Sequence, residues 1–167
     1  MEREGWKPDF ASLVREHQSM VYSLALHFLR DPAAAEDVAQ DVFLRLHRNL
    51  DELESDSHAL FWLRQVTSRR AIDSLRRKSH AEVSLEETRE PAASPAGGDP
   101  MLSQRLNRLV ASLPENLRMA VVLRYQEDLE PDEIARVLDL PLRTVRDHLH
   151  RGLALLRLKA ARYLGEV

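Results

Sequence analysis

The amino-acid sequence predicts an all-α protein made of two small helical domains joined by a flexible linker. Apolar residues recur every three or four positions along several stretches, and no stretch alternates apolar and polar residues as a strand would. Aromatic residues make up only 5% of the 167 residues. A segment containing proline and glycine separates two groups of helical stretches. We therefore expect domains at 1–79 and 102–167, with a linker at 80–101.

Three helices are expected in the first domain. The first spans Phe10–Arg30, and Asp31-Pro32 should end it and begin the second, because Asp is a good N-cap and Pro fits the first turn. The second helix reaches about Arg48, and Ser57 is placed to cap a third that reaches about Lys78. The recurring apolar positions, which we expect in the core, are Val14, Val21, Leu24, Ala25, Phe28, Ala35, Val38, Val42, Phe43, Leu46, Leu60, Leu63, Val66, Ile72 and Leu75.

The segment at 80–101 has the composition of a linker. It contains the run EPAASPAGGDP, with three prolines and two glycines, which disfavours both helix and strand. From Ala81 to Pro100 there are five acidic residues against a single basic residue, Arg89, which gives a net charge of −4. We therefore expect a flexible, acidic connection.

The second domain should contain a helix-turn-helix. Two further helices lead into the run Glu130–Lys159, where Pro131 suits a first helical position. The small Ala135 lies ten residues before the β-branched Val145, a spacing that lets two helices cross closely. Asp139 occupies the turn position where such motifs usually carry Gly, and Asp adopts the left-handed conformation at modest cost.

The second helix of this motif turns polar and charged side chains outward, where they could meet base edges and phosphates. These residues are Arg143, Thr144, Arg146, Asp147, His150 and Arg151. Arginine can recognise guanine with two hydrogen bonds, whereas the Asp147 carboxylate would have to accept from a cytosine amino group or orient Arg143 or Arg151. The alternative is an amphipathic hairpin with a solvated basic face. Later basic residues, which could contact phosphates or only solubilise the surface, are Arg157, Lys159 and Arg162.

Charge is distributed unevenly along the chain. The net charge is −3, yet Arg64–Lys78 and Leu142–Arg162 each carry six basic residues and one acidic residue, a net +5. Non-specific DNA affinity comes mainly from neutralising phosphates. A chain that is acidic overall should therefore bind DNA poorly alone and need a partner.

Composition and motifs argue against several classes of function. There is no cysteine, which excludes disulfides and thiolate metal sites. His148 and His150 are two positions apart and point to different helix faces, and no Gly-rich phosphate loop or nucleophile–base pair is visible. We expect no enzyme activity, no cofactor and no metal site. No stretch has the length of a membrane span and no N-terminal apolar run resembles a signal peptide, so we expect no membrane insertion and a cytoplasmic location.

Four blocks in this order resemble the extracytoplasmic-function (ECF) class of bacterial RNA polymerase sigma factors, within the sigma-70 family. They are Ala35–Leu50, Phe61–Arg77, Ser112–Leu129 and the helix-turn-helix. The resemblance implies a first domain equivalent to region 2, which binds polymerase and opens the −10 element, and a second equivalent to region 4, which recognises the −35 element. The partners it implies are core RNA polymerase (through the clamp helices of its largest subunit and its flap region), promoter DNA and an anti-sigma factor, with no small-molecule substrate.

One stripe of the second helix suits docking on another protein. It consists of Asp37, Gln40, Asp41 and Leu44, at spacings of one helical turn. Two carboxylates, an amide and an apolar contact fit a basic partner surface. By the resemblance, that surface is the polymerase clamp helices. The alternative is an acidic stripe that only faces solvent.

The third helix and the loop before it are the candidates for contact with the −10 element. An aromatic residue beside a basic helical stripe is typical of single-stranded DNA sites, where cations follow the backbone and a π-face or pocket holds an unstacked base. By the resemblance, the loop Leu53–His58 forms part of the pocket for a flipped base. Trp62 could instead be a core indole, since Trp62 and Phe61 cannot both face the core. The candidates are Leu53, Ser55, Asp56, Trp62, Arg69, Arg70, Arg76 and Arg77.

Two other functions stay open. A stand-alone transcription regulator with the same helix-turn-helix should carry a dimerisation helix or an effector-binding domain, and the first three helices look like neither. A degenerate sigma paralogue would bind polymerase without melting DNA. Arg69, where many family members have Asn, and the acidic loop before the third helix keep that alternative open.

Overall fold

A computed structural model describes residues 5–81 and 100–165, and the regular structure within those ranges is helical throughout. The helices are α1 (Phe10–Leu29), α2 (Pro32–Asn49), α3 (Asp56–Ala81), α4 (Pro100–Ala111), α5 (Glu115–Tyr125), α6 (Pro131–Leu138) and α7 (Leu142–Gly165), with a 3-10 turn at Leu50–Glu52 after α2. Helices α1–α3 belong to one compact unit and α4–α7 to another. The predicted all-α, two-domain architecture is confirmed.

Most of the predicted linker at 80–101 lies outside the described residues, because 82–99 are not described. The flanking helices extend slightly beyond the expected domain limits, since α3 continues to Ala81 and α4 already begins at Pro100. The limits 1–79 and 102–167 remain predictions.

The junction of α1 and α2 forms where the sequence predicted it. Arg30 ends α1 in the left-handed conformation, with φ of 58°. The Asp31 carboxylate then accepts hydrogen bonds from the backbone N–H groups of Ala33 and Ala34, and Pro32 is the first residue of α2. Since these N–H groups have no partner inside the helix, the carboxylate satisfies donors that the helix leaves open.

The core of the first unit lies where α1 packs on both α2 and α3. Phe28, Leu46 and Leu63, one from each helix, are fully buried. Val14 and Phe43, which we expected in this core, are only partly buried because they lie at the edge of the α1–α2 contact. The other predicted core positions that are only partly buried are Leu60, Val66, Ile72 and Leu75.

The residue that caps the start of α3 is not the one predicted. Ser55, rather than Ser57, accepts a hydrogen bond at its Oγ from the backbone N–H of His58, 3.1 Å away. Its carbonyl also accepts from the N–H of Ala59 at 2.9 Å. Both bonds are those of an N-cap, so α3 begins at Asp56.

The second unit contains the predicted helix-turn-helix. The Glu133 carboxylate accepts from the backbone N–H of Glu130 at 2.8 Å and fixes the start of α6. Asp139 ends α6 in the left-handed conformation, with φ of 53°. A close helix contact occurs at Gly152 of α7, where an added Cβ would lie 2.7 Å from Cγ2 of Val121 in α5. Glycine thus lets α7 lie directly on α5.

None of the helices in the described ranges combines the length and apolar character needed to cross a bilayer.

Candidate nucleic-acid and partner interfaces

The first half of α7 has one buried and one exposed face. Val145 is fully buried and Leu149 is nearly so, because both pack toward the interior of the second unit. The predicted contact residues lie on the other side, with Thr144 half-buried and the remaining five exposed: Arg143, Arg146, Asp147, His150 and Arg151. A helix docked in a major groove needs this division, since its inner face must hold it to the domain.

Asp147 forms an ion pair with Arg151, one of the two arginines that we expected it to orient. Its carboxylate lies 3.2 Å from Nε of Arg151, one turn further along α7. Both side chains are at least half exposed, so the pair orients the guanidinium without burying it. His148 points the other way, and its Nε2 lies 3.4 Å from the Nδ2 atom of Asn116 in α5. His148 and His150 therefore lie on different faces, as their spacing predicted.

Lys159 contacts the protein itself. Its Nζ donates to the carbonyl oxygen and to Oγ of Ser112, at 3.1 and 2.7 Å, and so joins α7 to the end of α4. These two hydrogen bonds give Lys159 a structural role that the sequence did not predict. Arg157 and Arg162 remain exposed on the same half of α7.

The α2 stripe divides into an exposed part and a paired part. Asp37, Gln40 and Leu44 are exposed, and Leu44 keeps 60% of its surface accessible although it is apolar. Asp41 is half-buried, and its Oδ2 lies 2.6 Å from Nε of Arg70 in α3. The same oxygen lies 3.1 Å from Nε of Arg45. One predicted polymerase contact is thus joined to one predicted DNA contact.

The basic face of α3 consists of exposed arginines and one arginine, Arg70, that is held by ion pairs. Arg69, Arg76 and Arg77 are exposed. Arg70 is held between two carboxylates, because its Nη1 also lies 3.5 Å from the Oδ2 atom of Asp73. Trp62 is half-buried, as is its neighbour Phe61, so neither ring is enclosed in the core.

The loop before α3 differs from the expectation at Leu53. We expected its side chain to contact DNA, but it is only 6% exposed and belongs to the core of the first unit. An apolar side chain there gains free energy by burial, which explains the difference. Ser55 caps α3, and Asp56 accepts a hydrogen bond at 2.9 Å from Nε1 of Trp6. This contact could not be predicted from sequence patterns, because fifty positions separate the two residues.

A groove that the sequence analysis did not predict lies between α1 and α2. It has a volume of about 920 Å³ and is lined mainly by apolar side chains that the core leaves partly exposed. Phe10, at one end, contacts His47 edge-on, with ring centroids 5.0 Å apart. Leu44 of the α2 stripe also lines the groove. The sequence feature that indicates this groove is the pair of apolar residues Val14 and Phe43, which lie beside the buried stripes of their helices.

The described ranges hold no cluster of three His, Asp or Glu side chains that could bind a metal ion. Among the described residues, an unpaired buried polar atom on α7 is Nδ1 of His148.

Comparison with known proteins gives the same two-part organisation. Residues 13–81 match Sigma-70 region 2, and residues 103–156 match Sigma-70, region 4. The ECF RNA polymerase sigma factor SigW of Bacillus subtilis is 28% identical over 93% of this chain and 90% of its own length. The ECF RNA polymerase sigma-E factor of Escherichia coli K12 is 32% identical over 90% of this chain and 85% of its own.

Some relatives are longer than this chain. It spans 40% of the probable sigma factor RfaY of Xanthomonas campestris and 64% of the sigma factor SigE of Mycolicibacterium smegmatis. A solved structure with a similar fold is the sigma factor RpoE of Bartonella quintana in complex with the anti-sigma factor NepR. It has a TM-score of 0.74 at 18% identity and covers 89% of this chain and 94% of the solved one.

The two region matches and the extent of the similarity to sigma-E identify the family. Members of that family are not enzymes but act with RNA polymerase in transcription initiation. The chain belongs to the ECF class of RNA polymerase sigma factors.

Proposed function

We propose that this sigma factor binds core RNA polymerase through α2, opens the −10 element with α3 and the preceding loop, and recognises the −35 element with α7. The observation that carries the proposal is that each of the two matched regions presents an exposed basic helix face. A chain with a net charge of −3 has little general attraction for DNA, so the polymerase must hold both faces on the promoter.

Recognition of the −35 element would use the exposed face of α7. Arg146 and Arg151 are the residues suited to guanine, since a guanidinium can donate two hydrogen bonds to its O6 and N7. The Asp147 carboxylate, 3.2 Å from Nε of Arg151, would limit the directions in which that guanidinium points. The other proposed contacts are Arg143, Thr144 and His150.

Opening of the −10 element would use the outer face of α3. Arg69, Arg76 and Arg77 are exposed and can follow the phosphates of a single strand, while the half-buried Trp62 offers a π-face for a base. Ser55 and Asp56 lie at the start of α3, where the flipped base would be held. Since extruding a base costs a few kcal/mol, these contacts must compensate for lost stacking.

Docking on the polymerase would use the α2 stripe, in which Asp41 is half-buried and the other three residues are exposed. Asp37, Gln40 and Leu44 combine negative charge, an amide and an apolar side chain, which suits the clamp helices of the largest subunit. The second domain would contact the flap region. We assign these roles to domains at 1–79 and 102–167, with 80–101 as a flexible connection, in a protein that works in the cytoplasm.

An anti-sigma factor is a further proposed partner. The similar solved structure is a complex with an anti-sigma factor, NepR. The groove of about 920 Å³ beside the α2 stripe is an apolar surface of the kind that protein partners cover. Recovery of the protein from native cells should therefore bring down either polymerase or a small inhibitor. Recovery of polymerase alone under every condition would count against the inhibitor.

The decisive experiment is transcription in vitro with purified core RNA polymerase on the DNA upstream of the protein's own gene. A transcript that requires this chain would support the proposal, and its start site would locate the −10 and −35 elements. A matched pair of variants tests the assignment, with Arg146→Ala expected to reduce the transcript and Arg157→Ala to leave most of it. Tight polymerase binding without any transcript would favour the degenerate paralogue. Absence of both would favour the stand-alone regulator.

A further inference from the structure

The ion pair between Asp41 and Arg70 joins two surfaces to which we give different partners. Asp41 belongs to the α2 stripe and Arg70 to the basic face of α3. The joined atoms, Oδ2 of Asp41 and Nε of Arg70, are 2.6 Å apart. The Arg70 side chain is 24% exposed and the Asp41 side chain 37%, so both groups lie at the rim of the contact between helices. A pair at such a rim is held by neighbouring atoms yet can be reached by another molecule.

The surroundings of the pair contain charges of both signs. A small notch of about 130 Å³ lies between α2 and α3, lined on the α2 side by Asp37 and Asp41 and on the α3 side by Arg70 and Arg77. Arg45 and Asp73 add a second cation for Asp41 and a second carboxylate for Arg70. In the free protein, Arg70 is therefore directed into the notch by two carboxylates.

We propose that this ion pair couples polymerase docking positively to single-strand binding, because each partner draws one side chain out of the pair. The proposal rests on the proposed function. A cationic side chain of the polymerase that binds Asp41 weakens its hold on Arg70, whose guanidinium is then available to a phosphate of the melted −10 strand. Because coupling between two binding sites is reciprocal, DNA that takes Arg70 also strengthens the binding of polymerase at Asp41. Asp41 is thus a positioning residue for Arg70.

The size of the coupling is limited by exposure. A partly exposed ion pair is screened by solvent and salt, so releasing Arg70 should change DNA affinity by only about threefold to fivefold. That range lies near the lower end of typical coupling between sites. The effect should shrink as ionic strength rises.

The test uses the full-length free protein and a labelled single-stranded oligonucleotide with the non-template −10 sequence. The substitution Asp41→Asn removes the charge that holds Arg70 and should tighten binding about threefold to fivefold at low salt. Asp37→Asn is the matched control, because it removes the same charge from the same helix one turn away, where no ion pair with Arg70 exists. It should tighten binding by clearly less. In an Arg70→Gln background, Asp41→Asn should give no more than Asp37→Asn.

A second measurement uses wild-type protein, in case Asp41→Asn loosens α2 from α3. The Nε–H signal of Arg70 in nitrogen-15 NMR, assigned with an Arg70→Lys variant, should shift when a clamp-helix fragment of the polymerase is added. No shift despite saturating fragment, or equal tightening by Asp37→Asn and Asp41→Asn, would overturn the coupling. If the wild-type holoenzyme still gave a specific transcript, the proposed function would stand without it. Loss of transcript and of all oligonucleotide binding in the wild type would remove both.

Discussion

The two basic helices of this molecule, α3 and α7, present their arginines in different ways. On α7, Asp147 pairs with Arg151 of the same helix, and both side chains are exposed to solvent. On α3, Arg70 and Lys78 reach across to Asp41 and Asp31, so the helix is tied to α2 by two cross-helix ion pairs. A helix that recognises duplex DNA as a rigid unit needs only local orientation. Under the proposed function, α3 binds a single DNA strand while the polymerase holds α2. Its arginines can therefore change partners when the polymerase binds α2.

The largest effect is expected from a substitution on the exposed side of α7, which we propose to face DNA. Arg146→Ala should lower promoter-specific transcription about tenfold or more, since a bidentate arginine–guanine contact contributes roughly 1–3 kcal/mol. Runoff transcription on the mapped promoter measures the loss. Polymerase binding should be largely unchanged, because Arg146 is exposed on α7 and lies outside the α2 stripe proposed to dock on the polymerase. A variant that transcribes normally would remove Arg146 from the interface.

A comparable effect on stability is expected from breaking the other side of α7. Gly152→Ala places a Cβ 2.7 Å from Cγ2 of Val121, a stiff and buried side chain. Crowding of this kind costs roughly 1–3 kcal/mol, partly offset by the better helix propensity of Ala. Thermal unfolding should show a less stable second unit. Gly5→Ala is the control, since no atom lies within 4 Å of its Cβ position.

An intermediate effect is expected at Asp31, which both caps α2 and braces α3. Burial acts to raise the pKa of Asp31, but hydrogen bonds from Ala34 and Ala33 and the Lys78 ammonium outweigh it, and the pKa is lowered from 3.8. Asp31→Ala should cost about 1 kcal/mol of unfolding free energy near neutral pH. A group with a lowered folded-state pKa contributes its full stabilisation above 3.8 and loses it as the pH falls through that lower value.

The difference in stability between wild type and Asp31→Ala should therefore narrow on acidification, as measured by denaturant unfolding at several pH values. Asp31→Asn keeps a capping oxygen without a charge, so its stability should lie closer to that of the wild type. A gap that widens toward low pH would contradict the assigned role.

The smallest effect is expected from the local pair on α7. Asp147→Ala frees Arg151, and a surface pair one helical turn apart contributes only about 0.2–0.5 kcal/mol. Total transcription should change less than twofold or threefold, while preference at one −35 base pair relaxes. Transcription from a set of promoters substituted at each −35 position reveals this. Unchanged preference at all positions would show that the Asp147–Arg151 pair does not orient a base contact.

The sequence predicted those features that depend on neighbouring residues. Asp31-Pro32 ends one helix and begins the next because its chemistry is local, and Asp139 takes the left-handed turn for the same reason. The inward and outward faces of α7 also follow from helical periodicity alone, as the buried Val145 illustrates.

Features that depend on how helices pack were not predictable. Periodicity placed Asp41 and Arg70 on two separate functional stripes, and only the packing of α2 on α3 makes them partners. The burial of Leu53 was not predictable either, because a loop position carries no periodic signal of its burial. Phe43 lies at the edge of its apolar stripe, where one helix alone does not determine whether the ring enters the core or lines the groove.

The left-handed Asp139 has a consequence for the unfolded chain as well as for the folded one. Glycine would adopt φ of 53° without strain, but it would also give the turn many more conformations to lose on folding. An aspartate has fewer conformations in the unfolded chain, so it loses less conformational entropy on folding. This smaller loss offsets part of the strain of the left-handed conformation. Because an aspartate on its own prefers negative φ, the angle between the two helices of the motif is set by the contacts of the folded second unit and not by the turn residue alone.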